Sequence, residues 1–325
     1  MIILVNWRRA LDTLACVASL DRLTHTDWTV VICENGSGDD SASMLRNSLQ
    51  RQGGEIRLPC VEPGTTTFGY AGKECTPPRY ILVVSEKNRG FAGGNNLSYR
   101  LAKTVRHFDC VWFLNSDTEV EPDSLSLMLE RLARDPLIGI CGSTLVYAHD
   151  HKTVQALGGG VYRSWLGLVS ELGQGMAWPQ SIDQAALERQ MSYVSGASML
   201  TTSEFLDRVG LMSEDYFLYY EEIDWAVRAR YAGFRLGYAS GAVVYHKEGS
   251  ALGSGKSNRR SALAEYYGLR NKLVITRRYF PWAIPTVIVV AWLQVVRRIQ
   301  QGQWARARLM AGVLLGLRRS APGAQ

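Results

Sequence analysis

The sequence has six cysteines, but none stands in a Cys-x-x-Cys pair and their spacing matches no zinc site. Cys33, Cys110 and Cys141 lie within apolar runs, where a small thiol packs well. This pattern predicts a reducing compartment without disulfide bonds and excludes a disulfide-stapled fold. Cys60 and Cys75 flank a segment rich in proline and glycine, and they are the one pair whose placement invites a bridge.

The chain also lacks internal repeats and a recognisable targeting signal. The apolar stretch of MIILVNWRR is too short for a signal peptide and has the wrong flanks. We therefore expect the chain to enter its first strand at once and the protein to be cytoplasmic. Apolar residues make up 46% and charged residues 20% of the 325 residues. This composition excludes a disordered chain and fits one large α/β domain or two small ones.

Acidic residues are almost missing from the last part of the chain. Residues 251–325 contain 13 lysines and arginines but one acid, Glu265, which gives a balance of +12. The first 250 residues hold 23 basic and 29 acidic residues, a balance of −6. A basic tail on an acidic body predicts contact with an anionic surface, either nucleic acid or an anionic membrane leaflet.

Short apolar runs alternate with amphipathic stretches through the first half of the chain. The runs predict buried strands at 2–6, 28–34, 80–86, 110–115 and 138–147. The stretches between them predict helices at 9–22, 39–51, 93–106 and 122–134. This alternation is typical of an α/β fold whose mostly parallel sheet carries helices on both faces. In such sheets, ligands bind beyond the carboxyl ends of the strands.

Two segments interrupt the alternation. Residues 53–79 are rich in glycine, proline and threonine and predict an exposed loop or hairpin insertion. Residues 148–192 include three glycines at 158–160 and show weak periodicity. We expect this second segment to form β-ribbon and loop structure over the ligand site.

The basic tail predicts a helical extension. Residues 279–296 form an uncharged apolar run of 18 residues followed by two arginines, and a second helix is predicted at about 303–318. Eighteen residues stand at the lower limit for a membrane span, and Pro281 and Pro285 shorten the regular helix further. The Trp and Arg flanks favour peripheral membrane contact through residues 276–319. Two other roles of the tail helices stay open: a helix pair packed on the domain or in a homodimer, and a true membrane span. Binding of nucleic acid is disfavoured because the tail contains a long apolar run.

Polar side chains stand where the predicted strands end. Asn6 ends the first strand, and Glu34 with Asn35 ends the second, where they can accept hydrogen bonds from a base or from ribose hydroxyls. A plain strand–turn–helix junction explains much of this segment equally well. Asn115-Ser116-Asp117 ends the fourth strand, so the Asp117 carboxylate is placed to ligate Mg²⁺ or Mn²⁺ on a diphosphate. The alternative interpretation is that Asp117 is an acid that only stabilises the turn.

A glycine-rich segment, NRGFAGGNN at Asn88–Asn96, follows the third predicted strand. Its glycines and asparagines let the backbone approach a ligand at the start of a helix. A simple glycine-rich turn is the alternative. The spacing is not that of the dinucleotide-binding Gly-x-Gly-x-x-Gly fingerprint, which excludes that cofactor site.

The densest cluster of acids is Glu221, Glu222 and Asp224 at the start of a predicted helix. Asp224 and Arg228 are four residues apart and predict a scaffold ion pair on one helix face. Glu222, in the first turn, is placed to abstract a proton from a hydroxyl. His246 ends another strand, where a neutral imidazole can ligate a metal ion.

Together these segments resemble the family-2 glycosyltransferases of the GT-A fold, in particular the bacterial rhamnosyltransferase-like branch. The blocks that carry the resemblance occur in that branch's order: Glu34–Asp39, Asn88–Asn96, Leu114–Asp117, Ser195–Ala197, Phe217–Arg228 and His246. The element Tyr266-Tyr267-x-x-Arg270-Asn271 also matches. A single block is weak evidence, but six in order are strong, and the resemblance covers about residues 1–275.

The resemblance implies a GT-A catalytic domain over residues 1–250, with a nucleotide-binding half at about 1–120 and an acceptor half at about 121–250. Residues 251–325 would then form the basic helical extension. The implied nucleotide-sugar site consists of Asn6, Glu34, Asn35, Asn88, Gly90, Asn96, Asn115, Asp117 and Gly196.

The resemblance also implies the roles of the reacting groups. Asp117 would bind Mg²⁺ or Mn²⁺ on the diphosphate, with His246 as a further ligand. Glu222 stands where the catalytic base lies, although aspartate is commoner there in the wider family. Asn115-Ser116-Asp117 replaces a full Asp-x-Asp, so the metal has one carboxylate fewer.

We therefore expect an inverting glycosyltransferase of cell-surface polysaccharide synthesis at the inner face of the membrane. Its donor would be a nucleotide-diphosphate sugar, with dTDP-rhamnose suggested by the branch and UDP sugars left open. Its acceptor would be a hydroxyl of a glycan or lipid-linked saccharide. Two alternatives remain. A sugar nucleotidyltransferase would need a basic glycine-rich signature that IILVNWRRALDT lacks, and a silent glycan- or nucleotide-binding module would have no use for the acid cluster.

Overall fold

The computed structural model describes residues 1–60, 62–71, 78–247, 261–317 and 321. Its strands are β1 (Ile2–Asn6), β2 (Val30–Asn35), β3 (Gly54–Arg57), β4 (Thr65–Ala71), β5 (Tyr80–Ser85), β6 (Cys110–Asn115), β7 (Thr118–Val120), β8 (Ile138–Tyr147), β9 (Val154–Leu157), β10 (Gly159–Arg163), β11 (Leu168–Glu171), β12 (Tyr193–Val194), β13 (Ser198–Thr202) and β14 (Arg235–His246). Its α-helices are α1 (Ala10–Leu20), α2 (Ser41–Gln50), α3 (Gly90–Val105), α4 (Ser124–Arg134), α5 (Gln184–Gln190), α6 (Ser203–Val209), α7 (Glu221–Tyr231), α8 (Ala262–Tyr279), α9 (Ile284–Gln300) and α10 (Trp304–Leu314).

All fourteen of these strands belong to one sheet, in which eleven follow the order β11-β10-β9-β8-β13-β6-β1-β2-β5-β4-β3. Off this path, β12 pairs with β10, and β14 pairs with β7 and β8. β6, β1, β2 and β5 are parallel neighbours, and β14 runs parallel to β8. β13 inserts antiparallel between β6 and β8. The parallel strands place their carboxyl ends at one edge of the sheet, which is where a ligand site is expected.

The sheet is buried on both faces, because alternate side chains of its strands enter different apolar clusters. Ile3, Val31 and Cys33 join a cluster with α3, α6 and α7. Ile2 and Leu4 join a second cluster with α1, α2 and α4. Helices therefore cover both faces, and the predicted α/β class is confirmed.

The two interrupting segments add antiparallel structure to the sheet. β3 and β4 form a hairpin that pairs with β5, so the insertion predicted at 53–79 extends one edge. β9, β10 and β11 build the other edge. The described cysteines are all free thiols, whereas Cys75 of the suggested Cys60–Cys75 pair lies outside the described residues.

The tail is helical, and its first helix joins the main body. Ile275 of α8 is fully buried in the apolar cluster that contains α7, while α8, α9 and α10 share a smaller cluster of their own. The domain boundary predicted at residue 250 falls within 248–260, outside the described residues. Within the described chain, Pro281–Gln300 is long and apolar enough to cross a membrane, although length and composition alone are weak evidence for a span.

Candidate active site

One cavity of about 840 Å³ opens at the carboxyl edge of the parallel strands. Its wall includes the tips of β1, β2, β6 and β14, the first turns of α3 and α7, and side chains of α8 and α9. The expected site residues that line it are Asn35, Asn88, Gly90, Asn115, Asp117, Glu222 and His246. The acids and the histidine, up to 129 residues apart in sequence, therefore meet in one space.

Four residues expected to bind the nucleotide do not line this cavity: Asn6, Glu34, Asn96 and Gly196. Three of them contact protein groups instead. Asn6 accepts a hydrogen bond from the Thr13 hydroxyl at 2.9 Å, and Glu34 accepts one from the Ser37 amide at 2.9 Å. Asn96 donates to the Met212 carbonyl at 2.9 Å. These contacts tie the loops below the cavity together.

A hydrogen-bonded junction joins the tip of β2 to the start of α3. Asn35 accepts from the Arg89 amide at 3.0 Å and donates to the Gly90 carbonyl at 3.0 Å. Asn88 accepts from the Gly90 amide at 2.8 Å. Gly90 has φ +73°, and a Cβ there would lie 2.2 Å from the Phe217 carbonyl oxygen. Glycine is required because the turn is left-handed and the 217–220 loop passes directly against it.

Asp117 and His246 form a pair suited to a divalent cation. His246 Nε2 lies 3.2 Å from Asp117 Oδ1, and His246 Nδ1 lies 2.9 Å from Gln155 Oε1. If the Nδ1–H group donates to Gln155, Nε2 of the neutral ring carries the lone pair, and this nitrogen is the one beside the Asp117 carboxylate. Metal–oxygen bonds of about 2.0–2.1 Å separate neighbouring ligand atoms by about 3 Å, which matches this spacing.

Two opposing effects act on the pKa of Asp117. Burial by itself raises the pKa of Asp117, but the hydrogen bond and the charge interaction with His246 outweigh burial, so the pKa of Asp117 lies below its ordinary value. No cluster of three or more metal-ligating side chains exists within the described residues. These residues thus fit a cation that takes its remaining ligands from a diphosphate or from water.

Glu222 is the acid that faces the cavity from α7. Burial raises the pKa of its carboxyl to about 7, and the charge of Glu171 on β11 adds to the shift. The preceding residue, Glu221, is 4% exposed and does not line the cavity. Burial and the charge of Glu222 raise the pKa of Glu221 well above its ordinary value. The pair therefore supplies one carboxyl that titrates near neutrality and a second, outside the cavity, whose pKa is raised well above its ordinary value.

The loop that carries Glu222 into position has a costly backbone conformation. Phe217, Tyr219 and Tyr220 have φ of 60°, 69° and 76°, the left-handed region that glycine favours. Each such residue costs on the order of 1–3 kcal/mol, and strain of this kind is common at functional sites. Tyr220 caps α7, so the strained turn sets the direction from which Glu222 enters the cavity.

Asp224 anchors the far side of α7, away from the cavity. It is fully buried and accepts from Arg228 Nε at 2.7 Å and from the Tyr279 hydroxyl at 2.7 Å. Arg278 adds a contact at 3.2 Å. The predicted Asp224–Arg228 scaffold pair is confirmed, and α8 contributes two further partners to it.

The cavity is also lined by four cationic residues that were not among the expected site residues: Arg9, Lys272, Arg297 and Arg298. Arg9 follows the tip of β1, so the Trp-Arg-Arg sequence after that strand was an available signal. The other three come from α8 and α9 and approach the cavity through packing alone. Positive charge therefore borders both the Asp117 end and the helical wall of the cavity.

The sheet order and the cavity at the carboxyl ends of its parallel strands fit the GT-A fold expected from the sequence. The family described as Glycosyltransferase like family 2 matches residues 1–268, so the chain belongs to it and is an enzyme of the transferase class. The sequence-based expectation of a family-2 glycosyltransferase is thereby confirmed.

Named relatives agree with the rhamnosyltransferase-like resemblance. An N-acetylglucosaminyl-diphospho-decaprenol L-rhamnosyltransferase of Mycobacterium tuberculosis is 24% identical over 257 residues, covering 76% of this chain and 75% of that protein. The low-salt glycan biosynthesis hexosyltransferase Agl10 of Haloferax volcanii is 20% identical over 280 residues, covering 83% of this chain and 84% of that protein.

Solved structures share the fold at low identity. The mannosyltransferase PcManGT from Pyrobaculum calidifontis, in complex with GDP-Man and Mn²⁺, has a TM-score of 0.53 at 15% identity, with 98% of this chain and 80% of that chain covered. TarS 1-349 of S. aureus, in complex with UDP-GlcNAc, has a TM-score of 0.53 at 12% identity, with 96% and 80% covered. At these identities the likeness shows the fold alone.

Proposed function

We propose that this glycosyltransferase inverts the anomeric centre of its donor sugar in a single displacement, with Glu222 as the base. The observation that carries the proposal is the convergence of Asp117, His246 and Glu222 on one cavity. The Glu222 carboxylate takes the proton of an acceptor hydroxyl as that oxygen bonds to the anomeric carbon. The bond from that carbon to the diphosphate breaks on the opposite side. A carboxyl whose pKa is about 7 is well matched to this task near neutral pH.

We further propose that Asp117 and His246 hold Mg²⁺ or Mn²⁺ beside the donor diphosphate. A bound divalent ion supplies positive charge to the phosphate oxygens of the leaving group. Arg9, which also lines the cavity, adds a fixed positive charge near Asp117. The 3.2 Å approach of His246 Nε2 to Asp117 Oδ1 supports this assignment. The Mn²⁺ in the PcManGT complex supports it by analogy.

The donor we propose is dTDP-rhamnose, because a relative is named an L-rhamnosyltransferase. The enzyme is incubated separately with dTDP-rhamnose, UDP-GlcNAc and GDP-mannose, each with Mg²⁺ or Mn²⁺. We expect dTDP to be released faster than UDP or GDP. Release of nucleoside diphosphate, with and without an acceptor, is the measurement. Faster release of UDP or GDP would reassign the donor, and no release from any donor would contradict the proposed activity.

The acceptor we propose is a lipid-linked saccharide of cell-surface polysaccharide synthesis. The M. tuberculosis relative is named for a diphospho-decaprenol acceptor. In this chain, Lys272 and Arg297 place positive charge on the helical wall of the reaction cavity, where Arg298 is paired with Glu265 at 2.8 Å. Cations in that position suit an acceptor that carries phosphate next to its sugar.

The outer face of α9 favours contact with the inner leaflet of the cytoplasmic membrane. Val289 is 58% and Leu293 62% exposed, and Trp292, Val296 and Ile299 are exposed beside them. Arginines follow this apolar face at its C-terminal end. An exposed apolar helix face with basic neighbours fits an anionic membrane surface. We therefore propose peripheral attachment of a cytoplasmic enzyme through residues 276–319.

Charges placed on this face should abolish attachment. The double variant V289E/L293E should lose flotation with phosphatidylglycerol vesicles, whereas the wild type floats, because two carboxylates oppose both burial and the anionic surface. Leu11→Glu, at a 72% exposed position on α1, is the matched control and should float normally. Equal flotation of all three proteins would contradict membrane contact through α9. If the wild type forms concentration-dependent dimers and the double variant does not, the exposed face of α9 is instead a homodimer interface.

A further inference from the structure

The Tyr266–Asn271 element of α8 contains a buried amide whose contacts point to a role in the site. Asn271 is fully buried. Its Nδ2 group lies within hydrogen-bond distance of the carbonyls of Tyr216, Leu218 and Tyr219, at 2.7, 2.8 and 3.0 Å, so its two hydrogens are shared among three acceptors. One side chain on the helical tail thus contacts three backbone carbonyls of the segment that leads to Glu222.

The orientation of this amide is set by its neighbour on the same helix. Arg270 donates from Nη1 to Asn271 Oδ1 at 2.6 Å and to the Asp215 carbonyl at 2.7 Å. An arginine has only donors, so it holds the oxygen of the amide and turns the NH₂ group towards the loop. The three carbonyls need a donor, which an aspartate at this position would not supply when ionised.

The loop needs such support because its conformation is unfavourable without it. Phe217, Tyr219 and Tyr220 are left-handed although none is glycine. Strained turns of this kind persist when surrounding contacts over-determine them. The Phe91 amide donates to the Phe217 carbonyl at 2.7 Å from the opposite side. The loop is thereby held between the start of α3 and the middle of α8.

We propose that Asn271 is a positioning residue that holds the strained 216–220 loop so that Glu222 faces the reaction cavity. This inference rests on the proposed role of Glu222 as base, and it makes α8 of the tail a working part of the active site. Tyr220 is the N-terminal cap of α7, which begins at Glu221, so the conformation of Tyr220 sets the direction in which Glu222 leaves the first turn. The loop geometry that Asn271 maintains sets that starting point.

The test uses the full-length enzyme with Asn271→Ala and Asn271→Asp. Loss of the amide donor should lower kcat by about 10–100-fold, since misplacing a reacting group by about 1 Å can cost 10²-fold. The KM for donor should stay within about twofold, because the donor end at Asp117 is untouched. The acidic limb of the pH profile should move down from about pH 7 towards ordinary glutamate values, since a loosened loop admits water to Glu222.

Thr276→Val is the matched control on the same helix. Thr276 is 1% exposed, and its hydroxyl donates to the Lys272 carbonyl within α8 at 2.7 Å. It should leave kcat and the pH profile unchanged. Activity is expressed per donor-binding molecule, so partial unfolding of a variant does not imitate the effect. If the wild type is active and Asn271→Ala has the same kcat and pH profile, this inference is overturned. If the wild type itself is inactive, the proposed function is contradicted instead.

Discussion

Glu222→Gln keeps donor binding and lowers kcat by about 10²–10⁴-fold, the range expected for loss of a positioned acid–base group. Glutamine preserves the size of the side chain and its place in the first turn of α7, but it cannot accept the proton of the acceptor hydroxyl. Single-turnover transfer and titration with nucleoside diphosphate separate the two effects. Near-normal turnover in this variant would remove Glu222 from the role of base.

The neighbouring acid provides the matched control for this change. Glu221 is buried outside the cavity, and burial raises the pKa of its carboxyl well above the ordinary value. Glu221→Gln changes a carboxyl that does not face the reaction cavity and keeps its size, so transfer should stay close to that of the wild type. Equal losses in both variants would indicate general damage to α7, and would count against a specific role for Glu222.

The pH dependence of the wild type offers a second readout of the same carboxyl. The base must be ionised, and burial raises its pKa to about 7. Rate should therefore rise as pH increases through about 7 and stay high above it. The sign for stability is opposite, because the folded state retains a proton that the unfolded chain has lost above its ordinary pKa of 4.5. Stability should fall between these two pKa values as pH rises, and Glu222→Gln should remove that loss.

The part of the site that follows the strands was predictable from sequence. Asn115, Asp117 and His246 stand at strand tips, and the carboxyl ends of neighbouring strands meet at one sheet edge. β1 and β2 were also predictable, because continuous apolar runs flanked by turns are typical of strands buried on both faces. Of the strand-tip residues, Asn115, Asp117 and His246 line the cavity, whereas Asn6 and Glu34 do not.

The remainder depends on packing between distant segments. Lys272 reaches the cavity because α8 packs against α7, and no local pattern carries that information. The resemblance picked out the element that contains Asn271, but not the loop carbonyls that Asn271 contacts. Asn96 illustrates the converse difficulty. A glycine- and asparagine-rich helix start allows close approach of a backbone or a ligand, and here the Asn96 amide contacts the Met212 carbonyl. The sequence pattern showed that something can approach closely at this helix start, but only the tertiary fold shows that the Met212 carbonyl does so.

Asp117→Ala should remove the dependence of donor binding on divalent metal. In the wild type, Mn²⁺ should tighten binding of a nucleoside diphosphate, and kcat/KM should fall by about 10²–10³-fold in the variant, as when one preorganised electrostatic contact is lost. Isothermal titration with Mn²⁺ and with EDTA measures the effect, and the variant should give equal affinities in both. Glu119→Gln, two residues further on and 42% exposed in its side chain, should behave like the wild type. Mn²⁺-dependent affinity that survives in Asp117→Ala would show that the cation is held elsewhere.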